Sequence, residues 1–215
     1  MRGLKDKPLR GATPLTLGQL TKATGLVRFA KALNASPEDM VRVNSIAKKY
    51  IAEDPKLKEL QIGKSSAGDF YDIRKNRVAL SSSDPDILSH ELGHAARLST
   101  SGSTYKKFLS ASRGVNKLLS AGALPIGGAI SYSSQIKEEN RGPILKGLAI
   151  ATALTALPNL AEEALASANA VRNSTEKLKT LTSLVPGFGA HALHDLGGAG
   201  AYALFNQLAT KEEGK

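Results

Sequence analysis

Asp84-Pro85-Asp86-Ile87-Leu88-Ser89-His90-Glu91-Leu92-Gly93-His94-Ala95-Ala96-Arg97-Leu98-Ser99 is the segment from which the rest of this chain can be read. Asp84 suits a helix N-cap, Pro85 the first helical position and Asp86 the first turn. The spacing predicts a helix from about Pro85 to Ser99. On it, His90 and His94 stand one turn apart on the same face. Both imidazoles can therefore reach one tetrahedral ion at about 2.0–2.1 Å. Glu91 lies beside that face. A zinc ion brings the pKa of a water molecule down to roughly 7, so a carboxylate there can complete its deprotonation at neutral pH. Gly93, Ala95 and Ala96 keep the helix slim, which lets another element approach the metal. The H-E-x-x-H pattern at His90–His94 thus points to His90 and His94 as zinc ligands and Glu91 as a general base.

Upstream, between Leu60 and Ser83, the pattern changes to short strands. Leu60-Gln61-Ile62, Asp69-Phe70-Tyr71-Asp72-Ile73 and Arg77-Val78-Ala79-Leu80 are the candidates, with Arg74-Lys75-Asn76 as the turn between the last two. The expectation is a small antiparallel meander. Its strands Asp69–Ile73 and Arg77–Leu80 are candidates to pair with an extended peptide. Before Leu60 the chain reads as helical and basic. Leu20, Leu26, Phe29, Ala30 and Leu33 give one apolar stripe over Leu17–Leu33. Ser36 caps a second helix that starts at Pro37 and stops near Asp54-Pro55.

Downstream, Gly102-Ser103 breaks the chain and Thr104–Leu119 predicts a helix with Lys106, Lys107, Arg113 and Lys117 on it. Three apolar stretches follow: Leu118–Ser131, interrupted by Pro125 and Gly127-Gly128; Ile144–Ala161; and the Gly- and Ala-rich Leu184–Leu208. A spanning helix needs about 20 apolar residues. The second stretch nearly reaches that length and the first is short. The first two read either as a membrane-inserted hairpin, in which Pro and Gly are tolerated and small residues pack closely, or as buried helices of a soluble bundle.

The third ligand decides the subclass. Arg97 and Thr100 stand where a metzincin carries Gly and His, so that subclass is excluded. A carboxylate from a later helix is the remaining common choice. Asn159-Leu160-Ala161-Glu162-Glu163-Ala164-Leu165-Ala166-Ser167 offers two adjacent glutamates in a small-residue helix. His191, His194 and Asp195, spaced i, i+3, i+4, are another source of a ligand or of a donor to a tetrahedral oxyanion, or are ordinary helix residues.

H-E-x-x-H, two apolar segments and then E-x-x-A-S resembles the membrane-associated gluzincin peptidases: the heat-shock-type membrane zinc proteases, the prenyl-protein endopeptidases and the smaller bacterial neutral zinc metallopeptidases. His90, Glu91 and His94 match the first motif. Glu163-Ala164-Leu165-Ala166-Ser167 matches the second, which implies Glu163 as third ligand. Ser167 and Ala170 look most like the smaller relatives; many of the others carry Asp at the position of Ser167. The resemblance covers roughly Asp69–Asn173.

Composition sets the remaining bounds. Of 215 residues, 41% are hydrophobic but only 5% aromatic, so the core is built from Ala, Leu, Ile and Val. There is no cysteine, which rules out disulfides and leaves any zinc to His, Asp or Glu. The net charge of +10 favours an anionic membrane surface, nucleic acid or an acidic partner. No nucleic-acid-binding motif is present and the basic residues are not interleaved with aromatics, so membrane lipid ranks ahead and nucleic acid is not expected. Met1–Arg10 is basic, but Gly11-Ala12-Thr13-Pro14-Leu15-Thr16 is no apolar signal core. The mature chain is therefore expected to begin on the side of the membrane where it is made. Basic residues flank the hairpin (Lys106, Lys107, Arg113 and Lys117 before it, Arg172, Lys177 and Lys179 after it). They outnumber Lys137 and Arg141 in its loop, which puts the catalytic side in the cytoplasm. The soluble reading makes the protein cytoplasmic throughout.

The expected architecture is α+β and mostly helical, with a zincin-like active-site helix, a small antiparallel sheet and an apolar helical hairpin. Residues 1–60 form a basic helical segment. Residues 61–180 form a metallopeptidase domain that includes the hairpin at 118–161, and residues 181–215 a Gly/Ala-rich C-terminal helix. The expected function is a zinc-dependent endopeptidase acting on a polypeptide. The alternatives are a non-catalytic membrane- or particle-associated structural protein that retains a metalloprotease-like domain, and a basic nucleic-acid-associated protein with a fortuitous motif.

Overall fold

The structure, a computed structural model, describes residues 14–212; the reading of Met1–Arg10 lies outside them. It is 78% helical with a small four-stranded sheet, a mostly helical α+β fold. The chain divides into two compact units. One holds the described residues up to Thr100 together with Ala166–Leu181; the other holds Ser101–Leu165 and the described residues from Thr182 on.

The first unit opens with strand β1 (Leu15–Thr16), helix α1 (Leu17–Leu20) and helix α2 (Ala23–Leu33). The single helix expected over Leu17–Leu33 is in fact two. Thr16 and Gln19 form a capping box that starts α1. The Thr21 hydroxyl then donates to the Gly18 carbonyl at 2.8 Å, closing the turn early. The chain folds back so tightly there that a Cβ on Gly25 would lie 1.9 Å from the Gln19 carbonyl oxygen. Helix α3 (Pro37–Glu53) matches its sequence signals: Ser36 and Asp39 form a capping box and Asp54 ends it. Its buried stripe is Val43, Ile46, Ala47 and Tyr50.

After a short 3₁₀ turn at Pro55–Glu59 come β2 (Gln61–Lys64), β3 (Phe70–Asp72) and β4 (Arg77–Leu80). The sheet is mixed, and the antiparallel meander is corrected: the order is β1-β2-β4-β3, and β2 runs parallel to β4 with Ile62 opposite Val78. The Ser65–Asp69 connection makes this crossing, using Gly68 at φ +105°, a region glycine enters without steric cost. It carries β3 to the outside, and the hairpin brings β4 back between its neighbours. Asp69 locks the arrangement by accepting from the Ser81 amide at 2.6 Å and the Ser81 hydroxyl at 2.8 Å. The sign in the sequence was Val78-Ala79-Leu80, all buried. An unbroken apolar run suits a central strand better than one with a wet face.

Helix α4 (Pro85–Thr100) packs on β3 and β4. The Asp84 carboxylate accepts from the Asp86 amide at 2.8 Å, as the sequence suggested for a cap. Leu88, Leu92 and Ala95 enter one core with Leu17, Leu20, Phe29, Val43, Ile46, Tyr50, Ile62, Val78 and Leu80. The helices before residue 60 therefore share the core of the sheet and of α4.

The second unit contains α5 (Ser103–Tyr132), most of α6 (Glu138–Asn173) and most of α7 (Lys177–Glu212). The sequence suggested an interruption at Pro125, while Pro158 lies within the expected apolar stretch Ile144–Ala161. Both prolines lie inside continuous helices. Ala123, Ile130, Leu145, Tyr202 and Ala209 form this unit's own small core. Among the described residues α6 is the one helix long and apolar enough to cross a membrane.

Candidate metal centre

Helix α4 carries its two histidines on the side away from the hydrophobic core, where i and i+4 coincide. Their Nε2 atoms lie 3.2 Å apart, and the rings meet edge to face with centroids 4.8 Å apart. Two nitrogens bound to one tetrahedral ion at about 2.0–2.1 Å are separated by about 3.3–3.4 Å. The observed spacing fits that donor pair almost without adjustment.

The last turns of α6, which belong to the first unit from Ala166 on, lie directly against α4. A Cβ on Gly93 would sit 2.6 Å from the Ala166 carbonyl oxygen and 3.0 Å from its Cα. The glycine inside H-E-x-x-H therefore sets how near α6 comes. At this approach Ser167 Oγ lies 3.2 Å from His90 Nδ1. In the tautomer with Nδ1 protonated, Ser167 accepts this hydrogen and the Nε2 lone pair is left for a metal.

Glu163 stands one turn before Ser167 on the same helix. His90, His94 and Glu163 each offer one ligand atom, and these atoms lie within 4.8 Å of one another. Such a His-His-Glu group can hold a metal ion. Glu162 is turned elsewhere: it is fully buried, and its carboxylate accepts from the Tyr105 hydroxyl at 2.9 Å. Two adjacent helical residues differ by about 100° around the axis, so the two side chains leave α6 in different directions, that of Glu162 toward Tyr105 of α5. Both are buried. Glu91 is also buried, at 7% exposure.

Around Glu163, Arg113 of α5 lies 3.8 Å from one carboxylate oxygen and His191 of α7 lies 4.0 Å from the other. Arg113 Nε donates to Asn159 at 2.6 Å, and the Asn159 side-chain amide donates to the Asp195 carboxylate. Asp195 therefore ties α7 to α6, and its own carbonyl accepts from Asn116 at 3.1 Å. His194 is exposed. Neither it, His191 nor Asp195 belongs to the His90–His94–Glu163 group. Tyr105 was not singled out in the sequence, and Arg113 was read there only as a basic flank of the hairpin; their contacts with Glu162, Glu163 and Asn159 become visible only once α5 and α6 are paired.

At the other end of α4, Asp86 accepts from Arg42 and from the Thr180 hydroxyl, each at 2.6 Å. The buried Tyr50 hydroxyl donates to the Ser89 carbonyl at 2.8 Å, one residue before His90. These ties hold the histidine helix from α3 and from the start of α7. Burial pushes the Tyr50 hydroxyl above its usual pKa of 10.0, and hydrogen bonding only partly offsets this. Of the two strands proposed to receive a peptide, Arg77–Leu80 is corrected: β4 is paired on both sides, while Phe70–Asp72 is an edge.

Comparison with protein-family models, curated proteins and solved structures gave no match for this chain.

Proposed function

We propose that this protein is a zinc-dependent endopeptidase, with His90, His94 and Glu163 holding the metal and Glu91 serving as general base. The observation that carries this reading is the pair of Nε2 atoms 3.2 Å apart, with a buried glutamate from another helix completing the set. Three protein ligands of the His/His/Glu type leave a fourth position open, the arrangement of hydrolytic rather than structural zinc. A zinc ion there would act as a Lewis acid on a water molecule and on the scissile carbonyl. The chain's own residues supply the rest. A Glu91 carboxylate oxygen takes the proton from the attacking water and delivers it to the leaving amine nitrogen. Ser167 keeps His90 in the required tautomer. The edge strand Phe70–Asp72 offers main-chain groups to an extended polypeptide.

The same reading places the protein at a membrane, with the catalytic side in the cytoplasm. Support comes from the length and apolar character of α6 and from the excess of basic residues before and after the hairpin.

Metal analysis of the purified protein beside its Glu163→Ala and Glu91→Gln variants tests the assignment. The expected result is one zinc per chain in the wild type, little in Glu163→Ala, and full zinc without peptide hydrolysis in Glu91→Gln. Loss of metal from Glu91→Gln would show that Glu91 is a ligand. Zinc bound by a wild-type protein that shows no peptide hydrolysis above that of Glu91→Gln would favour the non-catalytic structural reading.

A further inference from the structure

The second unit, taken by itself, has an outer surface that water does not suit. Its three helices touch one another pairwise. Asn116 of α5 donates to the Thr152 carbonyl of α6, Tyr202 of α7 donates to the Leu119 carbonyl of α5, and Asn159 of α6 donates to Asp195 of α7. The contacts also fix direction. Gly198 lies against Ser120 and Gly127 against Phe205, so α7 runs parallel to α5, while Gly142 lies against Asn206, so α6 runs antiparallel to both.

The seam between the helices is thin and made largely of small residues. A Cβ on Gly198 would sit 2.5 Å from the Ser120 Cα, and one on Gly127 2.4 Å from the Phe205 ring. What points outward is apolar on every helix: Leu118 and Leu124 on α5, Leu154 and Leu157 on α6, Leu193 and Leu204 on α7. Only 22% of the most apolar stretch of α6 is buried within the protein, whereas the core helix of a soluble bundle would be mostly covered. A helix apolar all round needs an apolar surrounding.

Charge follows the same division. From Leu118 to Ile136, from Gly147 to Ala161 and from Leu196 to Thr210 the sequence carries no Asp, Glu, Lys or Arg. Each helical part of this band rises about 22 Å. That is short of a hydrocarbon core of about 30 Å, but Lys146 and Lys117 can extend it by snorkelling and the bilayer can thin locally. Polar groups inside the band are held within the unit: the Thr152 hydroxyl donates to the Leu148 carbonyl and the Thr155 hydroxyl to the Thr152 carbonyl. Asp195, the one acid deep in α7, is buried and takes the Asn159 amide. Because exposed leucines occur on all three helices, a second copy seated on one side would leave the others wet; lipid acyl chains cover them all.

We propose that α7 is a third membrane leg, packed with α5 and α6 as one inserted three-helix unit whose outward leucines contact lipid acyl chains. The proposal rests on the membrane reading above and extends it from two legs to three. With three legs, Thr210 and the α5–α6 loop lie on the side of the bilayer opposite Lys107 and Glu163.

The absence of cysteine makes the test direct. Full-length single-cysteine variants Lys107→Cys, Ser134→Cys and Thr210→Cys, all at exposed positions, are expressed and probed with a membrane-impermeant maleimide in spheroplasts, intact and permeabilised. Carbonate extraction is run in parallel. The expected result is a carbonate-resistant protein. Positions 134 and 210 are labelled in intact spheroplasts, and position 107 only after permeabilisation. If 134 and 210 fall on opposite sides, α7 does not cross and the third leg is overturned while the two-helix hairpin survives. A carbonate-soluble protein overturns the leg and the membrane reading together, and a soluble dimer would then assign the apolar surface to self-association. Reversed labelling, with 107 outside and 134 and 210 inside, supports the three legs and overturns only the cytoplasmic orientation. None of these outcomes bears on zinc content, so the metal assignment stands or falls separately.

Discussion

In the proposed centre Ser167 and Glu91 would have different parts, and a substitution at Ser167 tests the first. Ser167 touches His90 at the nitrogen that faces away from its partner histidine. Removing such an outer contact typically costs about 10–100-fold in metal affinity. Ser167→Ala should therefore bind zinc more weakly by about that factor in chelator competition while still reaching full occupancy at excess metal. An unchanged affinity would take Ser167 out of the site. Tyr50 gives a pH signature from a residue just behind the motif. Its folded pKa lies above the ordinary 10.0 because burial disfavours the phenolate. The unfolded chain ionises first as pH rises, so the stability linked to neutral Tyr50 is complete below that value and is lost as pH climbs through the folded pKa. Tyr50→Phe cannot ionise. It should cost about 1 kcal/mol at neutral pH for the lost bond to Ser89, yet show a shallower fall in melting temperature from about pH 9 to about pH 11. Parallel curves for the two proteins would mean that Tyr50 does not govern alkaline unfolding.

At the level of elements, the approach of α6 to α4 is set by one missing methyl group. Replacing Gly by Ala inside a helix normally adds up to about 1 kcal/mol of stability. At Gly93 the added carbon would overlap backbone atoms of Ala166, which cannot rotate away, and overpacking of this kind costs about 1–3 kcal/mol. The second effect is the larger. Gly93→Ala should lower the melting temperature and weaken zinc binding, because Ser167 and Glu163 move with α6. Gly114 on α5 is the control: a Cβ there meets nothing within 4 Å, so Gly114→Ala should hold or raise stability. The contrast is read by thermal unfolding of both variants. Equal shifts would remove the special role given to the α4–α6 approach. Within the sheet, Asp69 has a similar part, since its carboxylate joins the start of β3 to the residue after β4.

For the whole molecule, the candidate ligands come from sequence positions far apart, so metal binding at the proposed centre would be coupled to folding. His90 and His94 are brought to Glu163 only in the folded chain. A ligand that binds the folded state alone, at one hundred times its dissociation constant, stabilises by about 2.7 kcal/mol. Added zinc should therefore raise the melting temperature of the wild type by several degrees and leave Glu163→Ala nearly unmoved, as followed by calorimetry in detergent or lipid. Helix α6 carries both the second apolar stretch and Glu163, so a proline that truly broke α6 at position 158 would separate that carboxylate from the stretch before it. The structure keeps that helix whole.

What the sequence determined by itself was local. The capping box at Ser36 and Asp39, the cap at Asp84 and the shared face of His90 and His94 depend on residues within about one helical turn, and each is present. The mostly helical α+β character followed from the same short-range signals. What the tertiary structure decided was everything that depends on a distant partner. The parallel pairing of β2 with β4 could not be told from a meander, because both strands pair equally well until Gly68 and Asp69 direct the crossing. Pro125 read as an interruption because a proline disrupts an isolated helix, yet it lies within a continuous helix. Glu162 and Glu163 are chemically identical in the sequence. Only the helix register against Tyr105 on one side and the histidines on the other assigns them different work, since a side chain's direction is set by what its helix packs against.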